Sequence, residues 1–105
     1  MAWHRVCTLS EIDVGATRPI QVDGEYLLLC RVEEAAVHAI ENICSHDDAP
    51  LDGGELEGRH IVCPRHGARF DVITGAVLRA PAPVGLETFP VRVTDEGWVE
   101  VEVDT

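Results

Sequence analysis

Two short segments of the chain each pair a cysteine with a histidine. Cys44 and His46 have one residue between them, whereas Cys63 and His66 have two and are followed at once by a glycine. Thiolate sulfur and imidazole nitrogen are ligands of soft and borderline metals. The four side chains therefore predict a site for zinc or for an iron–sulfur cluster, and they exclude calcium or magnesium as the natural occupant.

Three interpretations of these segments compete. In the first, the residues are unconnected, but two matching Cys–His segments set among turn residues argue against this. In the second, one zinc ion is bound by two cysteines and two histidines, although zinc sites usually have two to four residues between paired ligands and Cys44 and His46 have only one. In the third, the cysteines bind one iron of a two-iron cluster and the histidines bind the other. That arrangement needs one sulfur and one nitrogen from each of two loops, which the two segments supply.

Both segments lie in an insert, residues 43–85, that is rich in glycine and proline. Outside it the sequence predicts short antiparallel strands. Asp23-Gly24 between two apolar runs is a strong hairpin signal, and residues 31–42 predict a second strand pair that turns at Glu33-Glu34. Residues 89–103 alternate apolar and polar side chains about a turn, which predicts a half-buried hairpin.

The predicted fold class is all-β. No long segment has a 3.6-residue period, and the sequence Thr8-Leu9-Ser10-Glu11 indicates at most one helical turn opened by a capping box. A length of 105 residues predicts a single domain, residues 1–105. We expect an antiparallel β-sandwich base with a small, loop-rich subdomain built from the insert.

The formal net charge is −11, from 19 acidic and 8 basic residues. Repulsion from phosphates argues against nucleic acid as a partner, and so does an aromatic content of 5%. Acidity alone can serve solubility, but it also suits docking on a basic protein surface. No apolar run is long enough for a membrane span and the start has no secretory signal, so we expect a cytoplasmic protein with reduced or metal-bound thiols.

The pattern C-x-H-x16-C-x-x-H followed by glycine resembles the two ligand-loop motifs of the Rieske family. The segments DAPLDGGELEG, GARFDVITGAV and PAPVGLETFPVRV are also similar to those of small Rieske-type ferredoxins and stand in the same order. The resemblance covers residues 40–103 well and the first strands more weakly. It implies the Rieske fold and one [2Fe–2S] cluster, with the cofactor and its metal bound by Cys44, His46, Cys63 and His66.

Within this resemblance, four other positions bear on the reduction potential. High-potential members carry a disulfide whose cysteines would fall at Ala49 and Arg65, and hydroxyls that bond the cluster sulfurs at Ala68 and Phe70. None of these groups is present. Because fewer hydrogen bonds leave the sulfurs more electron-rich, we expect a potential toward the lower end of the family range of about −150 to +300 mV.

Other residues are assigned roles around the site. Cys7 and Cys30 lie in apolar strand segments and are predicted to be buried structural thiols. The resemblance implies that residues 80–83 form the proline loop that covers the cluster. Pro50 and Leu51, in the first ligand loop, are expected to shield it from water.

The predicted function is that of a one-electron carrier, because the chain shows no nucleophile–base pair and no nucleotide-binding loop. The resemblance implies a low-potential Rieske ferredoxin between a flavin-dependent reductase and the terminal oxygenase of an aromatic-ring dioxygenase, not catalytic alone. Asp47 and Asp48 beside His46 favour a basic docking surface on the partner. The alternatives are a Rieske subunit or donor of another redox enzyme, such as a diiron monooxygenase or the nitrite reductase small subunit, and a zinc-stabilised interaction module.

Overall fold

The computed structural model describes residues 2–44, 50–65, 67–79 and 84–103. Within these ranges the chain forms eleven β-strands and one 3₁₀ turn at Leu9–Glu11, so the all-β prediction is confirmed. In this part of the chain, no helix is long and apolar enough to cross a membrane. The strands are β1 (Ala2–Thr8), β2 (Thr17–Val22), β3 (Glu25–Glu33), β4 (Ala36–Glu41), β5 (Leu56–Glu57), β6 (His60–Val62), β7 (Arg69–Asp71), β8 (Val77–Arg79), β9 (Thr88–Phe89), β10 (Val91–Val93) and β11 (Trp98–Val103).

The strands make three antiparallel sheets. An outer sheet has the order β1-β11-β10, a central sheet the order β2-β3-β4-β9, and a third sheet the order β5-β6-β7-β8. The outer and central sheets share one apolar cluster, to which the outer sheet contributes Val99 and Val101 and the central sheet Leu27 and Leu29. This pair of sheets is the predicted sandwich base.

The hairpins form where local turn chemistry predicts them. Val22 pairs with Glu25, and the two residues between them have positive φ angles, 49° at Asp23 and 83° at Gly24. Two successive positive φ angles are those of a type I′ turn, whose twist matches the flanking strands. The second turn lies one residue later than predicted, at positions 34 and 35, because Glu33 is still paired with Ala36.

The capping box is also confirmed. The backbone N–H of Thr8 donates to the Glu11 carboxylate at 2.7 Å, and this contact opens the 3₁₀ turn. Arg31 fixes the turn to the central sheet, because its guanidinium donates to the carbonyl of Leu9 at 3.2 Å and to that of Ile12 at 2.7 Å.

Strand β3 is buried on both faces. Leu27 and Leu29 lie in the apolar cluster of the base, whereas Leu28 and Cys30 lie in a second cluster on the other side of the sheet. Successive side chains of a strand point to opposite faces, so one continuous apolar run serves two cores. The central sheet is therefore the layer that joins the insert to the base.

The insert is more regular than its composition indicates. It was expected to be built of loops, but strands β5 to β8 form a four-stranded antiparallel sheet within it. Each strand has only two or three residues. Strands this short carry too little periodic pattern to be recognised from sequence.

Candidate metal centre

The two predicted cysteine ligands lie in the same apolar cluster. Cys44 follows the end of β4 by three residues, and Cys63 comes directly after β6. Cys44 is 0% exposed and Cys63 is 1% exposed. The structure thus places two cysteines that are 19 residues apart in sequence in one buried cluster. The predicted ligands His46 and His66 lie outside the described residues.

The second cysteine opens a loop that closes on itself through the backbone. The N–H of Cys63 donates to the carbonyl of Ala68 at 2.8 Å, and the N–H of Gly67 donates back to the carbonyl of Cys63 at 3.1 Å. Gly67 has a φ of 75°, a conformation that side chains disfavour. The glycine that follows the Cys–His motif is therefore required by the turn.

The first cysteine loop is held at its two ends by one side chain. Asn42 precedes Cys44 by two residues, and its Oδ1 accepts the N–H of Leu51 at 2.8 Å and that of Asp52 at 3.1 Å. Its Nδ2 donates to Oδ1 of Asp52 at 2.8 Å. The sequence analysis missed Asn42, because its partners are nine and ten residues away and no short motif links them.

The two ligand segments are packed against each other at Gly54. A methyl group added there would overlap the backbone carbonyl of Val62, the residue before Cys63. The N–H of Gly54 also donates to the carbonyl of Leu51 at 3.0 Å. Only glycine lets the return of the first loop approach strand β6 this closely.

The surroundings of the two thiols are apolar. Leu51, Ala68 and Phe70 are all 0% exposed and belong to the cluster that contains Cys44 and Cys63. Leu51 fits the shielding role expected of it, whereas Pro50 is exposed. Ala68 and Phe70 have no hydroxyl, so neither offers a hydrogen bond to a sulfur at the site. The predicted covering loop at residues 80–83 lies outside the described residues, and the exposed apolar side chains Leu78 and Val84 flank it.

The other two cysteines are buried thiols, as predicted. Cys30 lies in the same cluster as Cys44 and Cys63, where burial raises its pKa to about 12. Cys7 lies in the base cluster, and burial raises its pKa as well, against the lowering effect of the Arg18 charge. At neutral pH Cys30 is therefore a protonated thiol.

A buried carboxylate stabilises the third sheet, and the sequence analysis missed it. Asp71 is 8% exposed. Its Oδ1 accepts the N–H of Ile73 at 2.8 Å and that of Thr74 at 3.2 Å, and its Oδ2 accepts Arg59 at 2.8 and 2.9 Å. Burial raises the pKa of Asp71, but these donors together outweigh it and hold the pKa below its ordinary value. The signal in the sequence is an aspartate three residues before a Thr-Gly turn, the pattern of an Asx turn.

An acidic groove of about 610 Å³ borders the first ligand loop. Residues at both ends of that loop line it, Ile43 on one side and Pro50 on the other, together with the exposed ring of Tyr26. Its carboxylates come from Glu25, Glu41 and Asp52. No Arg is among its lining residues, so this part of the described surface is negative.

The donor set suits a soft metal or an iron–sulfur cluster. The thiols of Cys44 and Cys63 are almost fully buried in one apolar cluster. At Gly54, the segment that follows the first loop lies close to the backbone of strand β6. An isolated buried thiolate would be costly, whereas metal coordination neutralises it. Within the described residues, no three His, Cys, Asp or Glu side chains form a group that could hold a metal ion.

Comparison with known proteins agrees with the donor set. Residues 2–90 match the family model of the Rieske [2Fe-2S] domain. The chain is 41% identical over 91 residues to the ferredoxin component of the naphthalene 1,2-dioxygenase system of Pseudomonas putida, covering 87% of this chain and 86% of that one.

Two solved structures are also similar. The ferredoxin of carbazole 1,9a-dioxygenase from Nocardioides aromaticivorans IC177 has a TM-score of 0.90 and 34% identity, covering 96% of this chain and 97% of that one. A chain in the complex of reduced oxygenase and oxidized ferredoxin in carbazole 1,9a-dioxygenase has a TM-score of 0.87 and 37% identity, covering 94% of this chain and 91% of that chain.

The family explains why two buried cysteines from separate segments share one apolar cluster. Its members hold one [2Fe–2S] cluster, whose single-electron chemistry needs no substrate pocket of its own. The chain belongs to the Rieske [2Fe-2S] domain family and is a ferredoxin-type electron carrier, not a catalyst on its own.

Proposed function

We propose that the protein carries single electrons from a flavin-dependent reductase to the terminal oxygenase of an aromatic-ring dioxygenase system. The observation that carries the proposal is the pair of buried cysteines on two facing ligand loops. Relatives of similar length and fold include the ferredoxin components of naphthalene and carbazole dioxygenase systems. Which aromatic compound is oxidised depends on the oxygenase.

The proposed ligands are Cys44 and Cys63 for one iron and His46 and His66 for the other. When bound, the cluster supplies one-electron chemistry. With two ferric irons, two sulfides and two thiolates its core is neutral, because the imidazoles add no charge. Adding an electron is therefore easier than in a four-cysteine cluster, which already carries two negative charges. The apolar wall of Leu51, Ala68 and Phe70 excludes water from the sulfurs.

Docking is proposed to use the surface around the first ligand loop. The acidic groove beside Tyr26 is complementary to a basic surface on a protein partner, and an exposed aromatic ring at its rim is typical of an interface anchor. Association should then slow as salt is added.

We further propose that residues 1–105 act as one domain and that the protein works in a reducing cytoplasm. Strand β3 contributes to both apolar clusters, which supports a single cooperative unit. Cys7 and Cys30 are buried and make no disulfide, which supports a compartment in which thiols stay reduced.

Electron paramagnetic resonance of the dithionite-reduced protein tests the ligand set. We expect the low mean g value of a cluster with histidine ligands, and its loss in C63S and in H66A. The C30S variant is the matched control, since it alters a buried thiol of the same apolar cluster and should keep the signal. A colourless protein containing zinc would contradict the assignment.

Reconstitution tests the function. A reductase and an oxygenase from one dioxygenase system should turn over an aromatic substrate only when this protein is added. Turnover at an equal rate without it, or with the H66A variant in its place, would overturn the proposed role.

A further inference from the structure

We infer that Asn42 is the positioning residue of the first ligand loop. Its side chain ties the segment that leads into Cys44 to the segment that returns from the loop at Leu51 and Asp52. The inference rests on the proposed assignment of Cys44 and His46 as ligands, and it goes beyond that assignment by naming what holds their loop.

The orientation of the Asn42 amide is fixed by its partners. The two backbone N–H groups of Leu51 and Asp52 are donors only, so the atom facing them must be the oxygen. The nitrogen then faces the Asp52 carboxylate, which is an acceptor only, at 2.8 Å. All three contacts have good lengths, and the last is strengthened by the carboxylate charge.

The backbone of Asn42 is anchored independently. Its N–H donates to the carbonyl of Tyr26 at 2.9 Å, which extends the pairing of β3 and β4 by one step. The side chain therefore projects from a rigid sheet, and the loop is fastened to that sheet through it. A side chain on a fixed element positions a site more accurately than one on a mobile loop.

The two ligand loops differ in how they are closed. The loop after Cys63 is closed by bonds between the backbone groups of Cys63, Gly67 and Ala68, and no side chain takes part in them. In the first loop, by contrast, three bonds of the Asn42 side chain join the segment before Cys44 to Leu51 and Asp52. Side-chain substitution can therefore loosen one half of the site and spare the other.

The clamp also positions the apolar wall of the site. Leu51 receives its backbone bond from Asn42 and is 0% exposed, in the same cluster as Cys44 and Cys63. If the clamp opens, Leu51 loses its anchor and water gains access to the Cys44 sulfur. Loss of iron should then begin at this loop.

A set of four variants separates the clamp from general damage. N42A removes every side-chain contact. N42D keeps the acceptor for the two N–H groups but sets a carboxylate against Asp52. D52N keeps an acceptor for the Nδ2 of Asn42, and N42D/D52N exchanges amide and carboxylate, which restores all three contacts at unchanged net charge.

The measurements are made on the iron-loaded protein. Release of iron to a chelator is followed by absorbance, exchange of the amides of Leu51 and Asp52 by mass spectrometry, and the g values of the reduced cluster by paramagnetic resonance. We expect N42A to release iron on the order of tenfold faster. A factor of ten corresponds to about 1.4 kcal/mol, the order of what one or two partly exposed hydrogen bonds contribute. Hydrogen exchange of the Leu51 and Asp52 amides should become faster as well, and the g values of the reduced cluster should shift.

The iron-release rate of N42D should lie between those of N42A and the wild type, whereas N42D/D52N should behave like the wild type in all three measurements. D52N keeps the bond to Asn42 without its charge, so it should differ from the wild type only slightly. E55Q is the charge control, because Glu55 is exposed in the same segment and its side chain is outside the clamp. Recovery in the double variant but not in N42D would show that the hydrogen-bond pattern, and not the residue's size, positions the loop.

Unchanged iron release in N42A overturns the inference, as does a double variant that behaves like N42A. Failure of the proposed function is a separate result. It would appear in the wild type itself, as a missing signal from histidine-ligated iron or as oxygenase turnover without the protein.

Discussion

Ala68 and Phe70 bring carbon, not hydroxyl oxygen, to the sulfur side of the site. Both are fully buried in the cluster that contains Cys63, and the Ala68 carbonyl accepts the N–H of Cys63. The number of donors reaching the sulfurs is one of the protein's main means of setting a cluster's potential. At the residue scale, these two side chains predict a weakly oxidising carrier.

The A68S variant should raise the reduction potential. A hydroxyl that bonds a cluster sulfur stabilises the reduced, more negative state more than the oxidised one, and a difference of about 1.4 kcal/mol corresponds to roughly 60 mV for one electron. F70Y should act in the same direction. Potentiometric titration followed by visible absorbance measures both.

The matched control is A68G, which changes the same position without adding a donor. If the reduction potential of A68G rises as much as that of A68S, packing and not the hydroxyl is the cause of the change. A wild-type potential well above 0 mV would contradict the low-potential prediction itself.

At the scale of elements, the third sheet depends on one carboxylate. Its strands have two or three residues each, too few to be stable by pairing alone. Asp71 compensates by closing the turn after β7 and by pairing with Arg59 at the opposite turn. The second ligand loop leaves this sheet at the end of β6, so the sheet supports Cys63.

The D71N variant should flatten the pH dependence of stability. The folded state lowers the pKa of Asp71, so its carboxylate stabilises the fold above its ordinary pKa and this stabilisation is lost as the pH falls through the folded value. We expect D71N to cost up to about 1 kcal/mol at pH 7, since an amide still accepts from the turn but loses the charge pair with Arg59. Denaturant unfolding of the wild type and D71N at pH 7 and below pH 4 measures the difference, which should shrink in acid.

The control for D71N is E96Q, which removes a carboxylate from an exposed turn of the base. It should shift stability little at either pH. If D71N and E96Q lose the same stability at pH 7, the role assigned to Asp71 is wrong.

At the scale of the whole molecule, charge is distributed unevenly. Residues 43–85 contain six acidic side chains and four arginines, whereas the remaining residues contain 13 acidic side chains and four arginines. Within the insert, five of the six acidic residues precede Gly58, and all four arginines follow it. The first ligand loop is thus negative and the second positive, a polarity that would orient a partner as well as attract it.

This polarity predicts a position-dependent effect of neutralising one carboxylate. E25Q, in the groove beside the first ligand loop, should slow association with the oxygenase severalfold at low salt and weaken its salt dependence. E96Q is the matched control, an exposed turn glutamate in the base. Stopped-flow electron transfer over a range of ionic strengths measures both, and equal slowing would mean that net charge alone steers docking.

Much of this organisation could be predicted from the sequence, and the exceptions have a common cause. The hairpin at Asp23-Gly24 and the Cys–His motifs depend on residues close together in the chain. Asn42 matters because of partners that only the folded chain brings near, Leu51 and Asp52. The short strands of the insert were missed for the same reason, since they are stabilised by tertiary contacts more than by pattern.

The two-faced strand β3 has a consequence for protein design. Leu28 and Cys30 belong to the cluster that contains Cys44 and Cys63, whereas Leu27 and Leu29 belong to the cluster of the base. Neighbouring positions of the strand therefore pack in different cores. Replacing only the even-numbered side chains would let a designer repack the cluster around Cys44 and Cys63 for a different cofactor while the base keeps its original packing. Natural divergence could follow the same route, changing a redox centre by alternate residues while the architecture is conserved.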